Sequence, residues 1–190
     1  MKIYALYLYK KTGNKTNLID TAHDFNDVGW MYRKNCIEIA DWTSKQIAES
    51  PNPEVNVTVD EKNFHFHQRR KNNICAIIIS TKDYPSRAAF NILREIIREY
   101  DLCGGNLPNN KCQTIQRGIT EYQDPSQADK LMKIQSNLDE TERIMNMNIQ
   151  KALVRRESLE EMAQKSKELS EQSKVFVRES SKLNSCCLVI

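Results

Sequence analysis

The sequence predicts an α+β protein in which a five-stranded sheet covered by helices is followed by a long coiled-coil helix. Apolar runs in the first hundred residues succeed one another in the order ββαβββα. Residues 126–190 contain no glycine or proline, although the chain has five of each. Apolar residues recur at alternating steps of three and four across 131–183. We therefore expect a domain over 1–125, a coiled-coil motif over 126–185 and a short tail over 186–190.

The first quarter of the chain predicts two strands and a helix. Ile3–Tyr9 is apolar at consecutive positions, as in a central strand that is covered on both faces. A turn at Thr12–Asn14 leads to a returning strand over Leu18–Ala22. A helix is expected to begin at Asn26–Asp27 or a few residues later, and Pro51 ends it.

The next sixty residues predict three strands and a second long helix. Val55–Val59 and Phe64–His67 alternate apolar with polar residues, whereas Ile74–Ile79 is a continuous apolar run. A helix follows Pro85 and ends at Gly104–Gly105. Its apolar face is formed by Phe90, Leu93, Ile96, Ile97 and Tyr100.

The stretch before the coiled coil is rich in turn-forming residues. We expect an irregular loop over 102–118 and a short helix over 119–123. Pro125 then marks the end of the domain.

The coiled-coil motif has one apolar seam with a mean spacing of 3.5 residues, which predicts a left-handed supercoil with partner helices. A single helix over these residues would be roughly 80 Å long at ~1.5 Å per residue, too long to be covered by its own domain. The seam positions are Leu131, Ile134, Leu138, Thr141, Met145, Asn148, Ala152, Arg155, Leu159, Met162, Ser166, Leu169, Ser173, Phe176, Ser180 and Leu183.

The seam has a cation at its centre. Arg155 carries five donors and is costly to bury without acceptors. Two identical helices would place Arg155 against its own copy. Such a dimer would also be weakened by the small polar seam residues, which are Thr141, Asn148, Ser166, Ser173 and Ser180. The pattern therefore favours a bundle with other chains that supply acceptors. The alternative is that Arg155 bends outward from a loose seam.

The centre of the seam resembles a known motif. The run Leu153-Val154-Arg155-Arg156-Glu157-Ser158-Leu159 is similar to the centre of a synaptobrevin-type R-SNARE, as are Leu138–Thr141 and Gln172–Phe176. The resemblance implies that Arg155 forms a central ionic layer with one glutamine from each of three partner helices. It also implies that assembly of the four helices drives membrane fusion. Arg156 departs from the small or acidic residue usual there, and we expect it to point outward.

Two further features lie outside the seam, and with the longin resemblance the likeness to known families covers nearly the whole chain. The element order, with Tyr84-Pro85-Ser86-Arg87 at the start of the second long helix, resembles the profilin-like longin domain. Cys187-Leu188-Val189-Ile190 has the pattern that prenyltransferases recognise. The choice between farnesyl and geranylgeranyl stays open at Ile190. Cys186 is either a second lipidation site or a plain cysteine.

Together these features resemble the YKT-type prenylated synaptobrevin homologues. That family implies a closed cytosolic form and a membrane-bound form on the cytoplasmic face of Golgi, endosomal, vacuolar or vesicle membranes. The expected partners are three glutamine-type SNARE helices, a prenyltransferase and the membrane itself. Trp42 lies off the apolar side of its helix and is our candidate for the contact that closes the molecule; the alternative is that Trp42 completes the domain core.

Other functional classes receive little support. The net charge is only +3 and the basic residues are dispersed, which argues against nucleic acid. His65 and His67 share a strand face, but without a placed third ligand we expect two exposed histidines and no metal. No catalytic grouping and no cofactor motif are found, so the chain is not expected to be an enzyme. The rival hypothesis is a prenylated coiled-coil adaptor or tether that never enters a fusion bundle.

Overall fold

The computed structural model describes residues 1–13, 15–51, 56–124 and 144–182. For residues 181 and 182 it describes the backbone alone. These residues form an α+β fold with one mixed sheet between helices. The strands are β1 Ile3–Thr12, β2 Lys15–His23, β3 Asn56–Glu61, β4 Phe64–Lys71, β5 Ile74–Thr81 and β6 Ile144–Asn148. The helices are α1 Trp30–Glu49, α2 Ser86–Leu102, α3 Gln113–Glu121, α4 Ile149–Leu153, α5 Leu159–Lys165 and α6 Glu171–Lys182.

The sheet has the order β2-β1-β5-β4-β3-β6. All neighbours are antiparallel except β3 and β6, which run parallel. β1 and β5 are adjacent interior strands, and the sheet is covered on both sides there because both of their faces are apolar. Tyr7, Tyr9 and Ile77 enter the core on the α1 side, whereas Leu6 and Ile78 enter the core on the α2 side. The prediction of two central strands is confirmed.

The two long helices cover opposite faces of the sheet. The predicted apolar face of α2 is buried in full, in a cluster that also contains residues of α3. On the other face, α1 buries Cys36, Ala40, Thr43 and Ile47. Ser50 and Pro51 end α1 where the sequence indicates. The cluster on the α1 side contains residues from the end of the chain as well.

The region before residue 125 differs from the prediction. Helix α3 begins six residues earlier than expected, inside the stretch predicted to be an irregular loop. Its first amides are capped from another helix: the Glu99 carboxylate accepts hydrogen bonds from the backbone N–H of Gln113 (2.6 Å) and Thr114 (2.8 Å). Asp20 accepts a further bond from Cys112 N–H at 2.7 Å. The capping residues are remote in sequence, so no local start signal was visible.

His65 and His67 are also less exposed than predicted. His67 is fully buried, with Nδ1 3.1 Å from Thr58 Oγ1 and Nε2 3.2 Å from Ser80 Oγ. Burial lowers the pKa of His67 to about 3, so the ring is neutral in the fold. The cross-strand hydroxyls on β3 and β5 make this polar position compatible with the interior.

The long continuous helix predicted over 131–183 is not the conformation of this structure. Leu131, Ile134, Leu138, Thr141 and Leu183 lie outside the described residues. Residues 144–182 form one strand and three short helices that pack against the domain. The sheet of the described residues therefore has six strands instead of the five predicted. The reason is that the apolar seam finds a partner within the same chain.

Candidate functional site: the contact between the C-terminal segment and its own domain

Residues 144–182, here called the C-terminal segment, meet the domain first at the sheet edge. β6 pairs with β3 in register from Ile144 opposite Asn56 to Asn148 opposite Asp60. Alternate side chains of β6 point towards the core on the α1 side, where Met147 is buried and Met145 is partly buried. The pairing provides partners for the backbone groups of an otherwise open edge strand.

A sharp reversal follows the strand. The Asn148 side chain caps α4 by accepting a bond from Lys151 N–H at 2.9 Å. Helix α4 ends at Val154, which adopts the left-handed conformation (φ 55°, ψ 41°). The Arg155 N–H then bonds to Gln150 O at 2.9 Å, which closes the helix end. Val154 is 66% exposed, so its conformation is not imposed by packing of its own side chain.

Helix α5 starts from a second local signal. Ser158 and Glu161 form a capping box, with Glu161 N–H bonded to Ser158 Oγ (3.2 Å) and Ser158 N–H bonded to the Glu161 carboxylate (2.8 Å). Met162 and Ala163 on α5 are buried, as is Leu169 after it. These residues extend the core beneath α1.

The last helix, α6, packs antiparallel on α1 through polar contacts. Glu38 accepts hydrogen bonds from Ser173 Oγ (2.6 Å), Ser170 Oγ (2.8 Å) and Ser170 N–H. Burial acts to raise the pKa of Glu38, but the bonds from Ser173 and Ser170 outweigh it, and the pKa lies below its usual value. Lys45 pairs with Glu168 at 2.6 Å, and this bond raises the pKa of Lys45.

Aromatic side chains add to this contact. The centres of the rings of Tyr32 and Phe176 lie 5.5 Å apart.

A cavity of about 180 Å³ lies between the domain and the C-terminal segment. Its walls are mostly apolar and include Ile39 on α1, Phe66 on β4, and Val177 on α6.

The contact uses the seam that the sequence assigns to partner helices. Every apolar seam position among the described residues is buried or half-buried against the domain; these positions are Met145, Ala152, Leu159, Met162, Leu169 and Phe176. The seam cannot simultaneously face other helices. The structure is therefore a closed form.

Comparison with known proteins identifies the family of both parts of the chain. A family model described as Synaptobrevin matches residues 130–189, and one described as a Regulated-SNARE-like domain, the longin model, matches residues 31–129. The synaptobrevin homologue ykt6 of Schizosaccharomyces pombe is 31% identical over all of both chains. The chain belongs to the Ykt6 family of synaptobrevin homologues. The VAMP-like protein YKT61 of Arabidopsis thaliana and YKT6 of Saccharomyces cerevisiae are each 30% identical, again over all of both chains.

Membership of the Ykt6 family confirms the predicted longin domain and the R-SNARE motif of vesicle fusion. SNAREs are a non-enzymatic family that acts through SNARE partners. Within the part of the chain that the structure describes, no helix combines the length and apolar character needed to cross a bilayer.

The residues predicted for a site lie in different environments in this Ykt6-family structure, and two of them lie outside the described residues. Arg155 is exposed beside the reversal at Val154 and does not enter the domain core. Trp42 is buried in the cluster that contains the C-terminal segment, one turn from Glu38 and just under a turn from Lys45 on α1. Cys186 and Cys187 lie outside the described residues.

Sequence analysis missed most of the polar part of the contact. It placed Ser173 in the seam for partner helices, but it did not single out Glu38, Lys45 and Ser170, which are of types common on solvated helix faces. A signal was present only in their spacing. Glu38 and Lys45 are seven residues apart and hence on one face of α1, with Trp42 between them.

Proposed function

We propose that the chain alternates between this closed form and a fusion bundle, and that the two forms exclude each other. The single observation that supports the proposal is that the seam predicted for partner helices is buried against the domain in this structure. Met162 and Leu169, for example, are buried against the longin domain here, and both are seam positions for partner helices. Release of the C-terminal segment is then a precondition for fusion.

In the open form, residues 126–185 act as one helix with three glutamine-type SNARE helices. Arg155 supplies the central ionic layer, and its guanidinium donates to the three glutamine side chains. Its exposure in the closed form supports this role, because the charge is never buried without acceptors. Zippering of the four helices draws the two bilayers together.

The test mixes the full chain with purified glutamine-type SNARE helices and measures a detergent-resistant complex. We expect Arg155→Ala to weaken that complex by ~1–3 kcal/mol, because the buried glutamines lose their partner. Arg155→Gln should be rescued in part by a Gln→Arg change in a partner helix. The closed form should be unaffected by either change. A parent protein that forms no such complex would be a tether and not a fusion SNARE.

Trp42 is proposed to help hold the closed form. It shares a face of α1 with Glu38 and Lys45, both of which bind the C-terminal segment. Trp42→Glu should open the molecule while the domain stays folded, as seen by hydrogen exchange over 149–182 with unchanged exchange in β1 and β5. Loss of domain structure by circular dichroism would instead make Trp42 a core residue.

We further propose that lipids anchor the chain to membranes. A prenyltransferase would modify Cys187, and a second lipid on Cys186 would make binding stable, since one chain gives only marginal, reversible attachment. The apolar cavity beneath α6 supports a closed form that shelters the single prenyl chain. The cytosol and the cytoplasmic face of Golgi, endosomal, vacuolar or vesicle membranes are the proposed locations.

Fractionation tests the two cysteines separately. Cys187→Ser should leave the protein wholly soluble, and Cys186→Ser should leave it prenylated but mainly cytosolic. A Cys186→Ser protein as firmly membrane-bound as the parent would reduce the anchor to Cys187 alone. The working units are then 1–125, 126–185 and 186–190, although in the closed form β6 joins the sheet of the first unit.

A further inference from the structure

We propose that one end of the sheet, here called the lysine end, is a docking surface for anionic membranes. It is formed by the β1–β2 hairpin, the β4–β5 turn and the C-terminal end of α2. Its cations are Lys10, Lys11, Lys15, Arg70 and Lys71. The contact needs no lipid on the chain, so the closed form can make it while its own lipid stays sheltered. It therefore goes beyond the anchor and the bundle proposed above.

The fold gathers cations that are dispersed in the sequence. Lys15 lies opposite Thr12 where the β1–β2 hairpin turns, and Lys71 lies opposite Ile74 where β4 turns into β5. The two turns are neighbours, because Ile74 also lies opposite Lys10 on β1. Four lysines from three strands thus meet at one end of the sheet.

The end of α2 brings an apolar side chain among these lysines. The Nζ atom of Lys71 is 2.7 Å from the Asp101 carboxylate, and that of Lys10 is 5.9 Å from the centre of the Tyr100 ring. The next residue, Leu102, is 76% exposed. An exposed leucine is therefore surrounded by lysine ammonium groups.

The lysine end keeps a net positive charge. Asp101 offsets Lys71, and Glu49 in the last turn of α1 offsets a second cation. Arg70 places that turn here, since its guanidinium donates to Ser50 Oγ at 3.2 Å and to the last turn of α1. The remaining cations have no carboxylate at this end of the described fold within ion-pair distance.

Both attachments of the rest of the chain lie at the opposite end of the sheet. Helix α6 ends near the first turn of α1, because Phe176 contacts Tyr32 there. The junction to the coiled-coil motif is held at the first residue of β1: the Gln123 side-chain amide bonds to the N–H and the carbonyl of Ile3, each at 2.8 Å. Neither the tail nor the motif therefore hinders a bilayer at the lysine end.

The chemistry of this surface favours a bilayer. Each lysine near an anionic lipid surface strengthens binding about fivefold, so four give a dissociation constant on the order of 1 mM. Such binding is a brief encounter and leaves most of the closed form in the cytosol. Leu102 favours a membrane over an acidic protein, because an apolar side chain among lysines can enter the boundary between headgroups and acyl chains.

The experiment uses unlipidated full-length protein, produced without a prenyltransferase and verified by mass spectrometry. At low salt it should bind vesicles of equal parts phosphatidylserine and phosphatidylcholine, and not vesicles of phosphatidylcholine alone. The double change Lys11→Gln and Lys15→Gln should raise the vesicle dissociation constant on the order of twentyfold. The matched control is Lys62→Gln with Lys82→Gln, which removes the same charge from two exposed lysines at the opposite end of the sheet.

The contrary outcomes are distinct. Equal binding of the two double variants to the anionic vesicles would overturn the proposal, as would parent binding that ~1 M salt leaves unchanged, since the Debye length is then about 3 Å. A parent that binds polyglutamate but not the anionic vesicles would make the lysine end a surface for an acidic protein and refute the membrane contact. None of these results bears on the anchor or the bundle, because lipid and partner helices are absent from the assay.

Discussion

A substitution at Val154 can shift the equilibrium between the closed and open forms without changing the side-chain packing of the closed form. The left-handed backbone conformation costs an ordinary L-residue ~1–2 kcal/mol, whereas glycine adopts it freely. Glycine also gives up more backbone entropy when it is fixed, at a cost of roughly 0.5–1 kcal/mol. Val154→Gly should therefore stabilise the closed form by about 1 kcal/mol, or about fivefold in its equilibrium with the open form. We expect the complex with glutamine-type SNARE helices to form about fivefold more slowly.

The matched control is Val175→Gly. Val175 is three heptads after Val154, so both residues point away from the seam of a bundle. Val175 is also exposed in the closed form, by 46%, but it lies within the right-handed helix α6. Glycine there weakens α6 by up to ~1 kcal/mol and should leave opening unchanged or faster.

The assay follows complex formation under conditions in which opening limits the rate, together with hydrogen exchange of the amides of α4. Slower assembly and greater α4 protection for Val154→Gly, with neither for Val175→Gly, would support a strained reversal. If Val154→Gly assembles as fast as Val175→Gly, the reversal at Val154 stores no strain that opposes closure.

Three further predictions concern single buried or bonded side chains. Glu38→Gln should lower hydrogen-exchange protection of α6, because it removes the negative charge that accepts from Ser170 and Ser173. Since the folded pKa of Glu38 is lowered, its contribution to the closed form is present above its ordinary pKa and should be lost as pH falls through the lower value. The depressed pKa of His67, about 3, makes the unfolded state bind more protons, so the free energy of unfolding should fall as pH drops below about 6.5, by up to ~1.4 kcal/mol per pH unit. Glu99→Ala should cost ~1–2 kcal/mol of unfolding free energy in urea titrations, because α3 loses its cap.

Each of these has a control, a test variant or an outcome that would contradict it. Glu95→Gln removes a carboxylate from α2, on the far face of the sheet, and should leave α6 protection unchanged. His67→Gln keeps hydrogen-bonding capacity towards Thr58 and Ser80 and should flatten the pH dependence; an unchanged slope would assign it to other groups. For Glu99→Ala, an unaltered midpoint in urea would show that water caps α3 equally well.

The sequence predicts the central elements well because their patterns are local. The continuous apolar runs in β1 and β5, and the single apolar face of α2, each correspond to one conformation and one burial pattern. Helix α3 is different: its cap comes from Glu99 and Asp20, which are distant in sequence, so no window around residue 113 contains the signal.

The C-terminal segment shows a deeper limit of sequence analysis. Its heptads are those of a helix in a bundle, and the same apolar residues also pack against the longin domain. Local evidence for the reversal exists in the capping box at Ser158 and Glu161, but a capping box is also compatible with a continuous helix. Whether the seam packs against its own domain or against partner helices depends on the other molecules present. The periodicity of the sequence carries no information about those molecules.

The pairing of β6 with β3 has a consequence for the open form. When the segment departs, five residues of β3 lose a neighbour and the sheet ends in a bare row of amides and carbonyls. Such an edge can pair with any extended chain, including another copy that has just opened. A population of open molecules crowded on one membrane would thus be exposed to sheet-to-sheet association. Opening leads to least sheet-to-sheet association when partner helices are already nearby, because each molecule then spends little time with the edge of β3 unpaired.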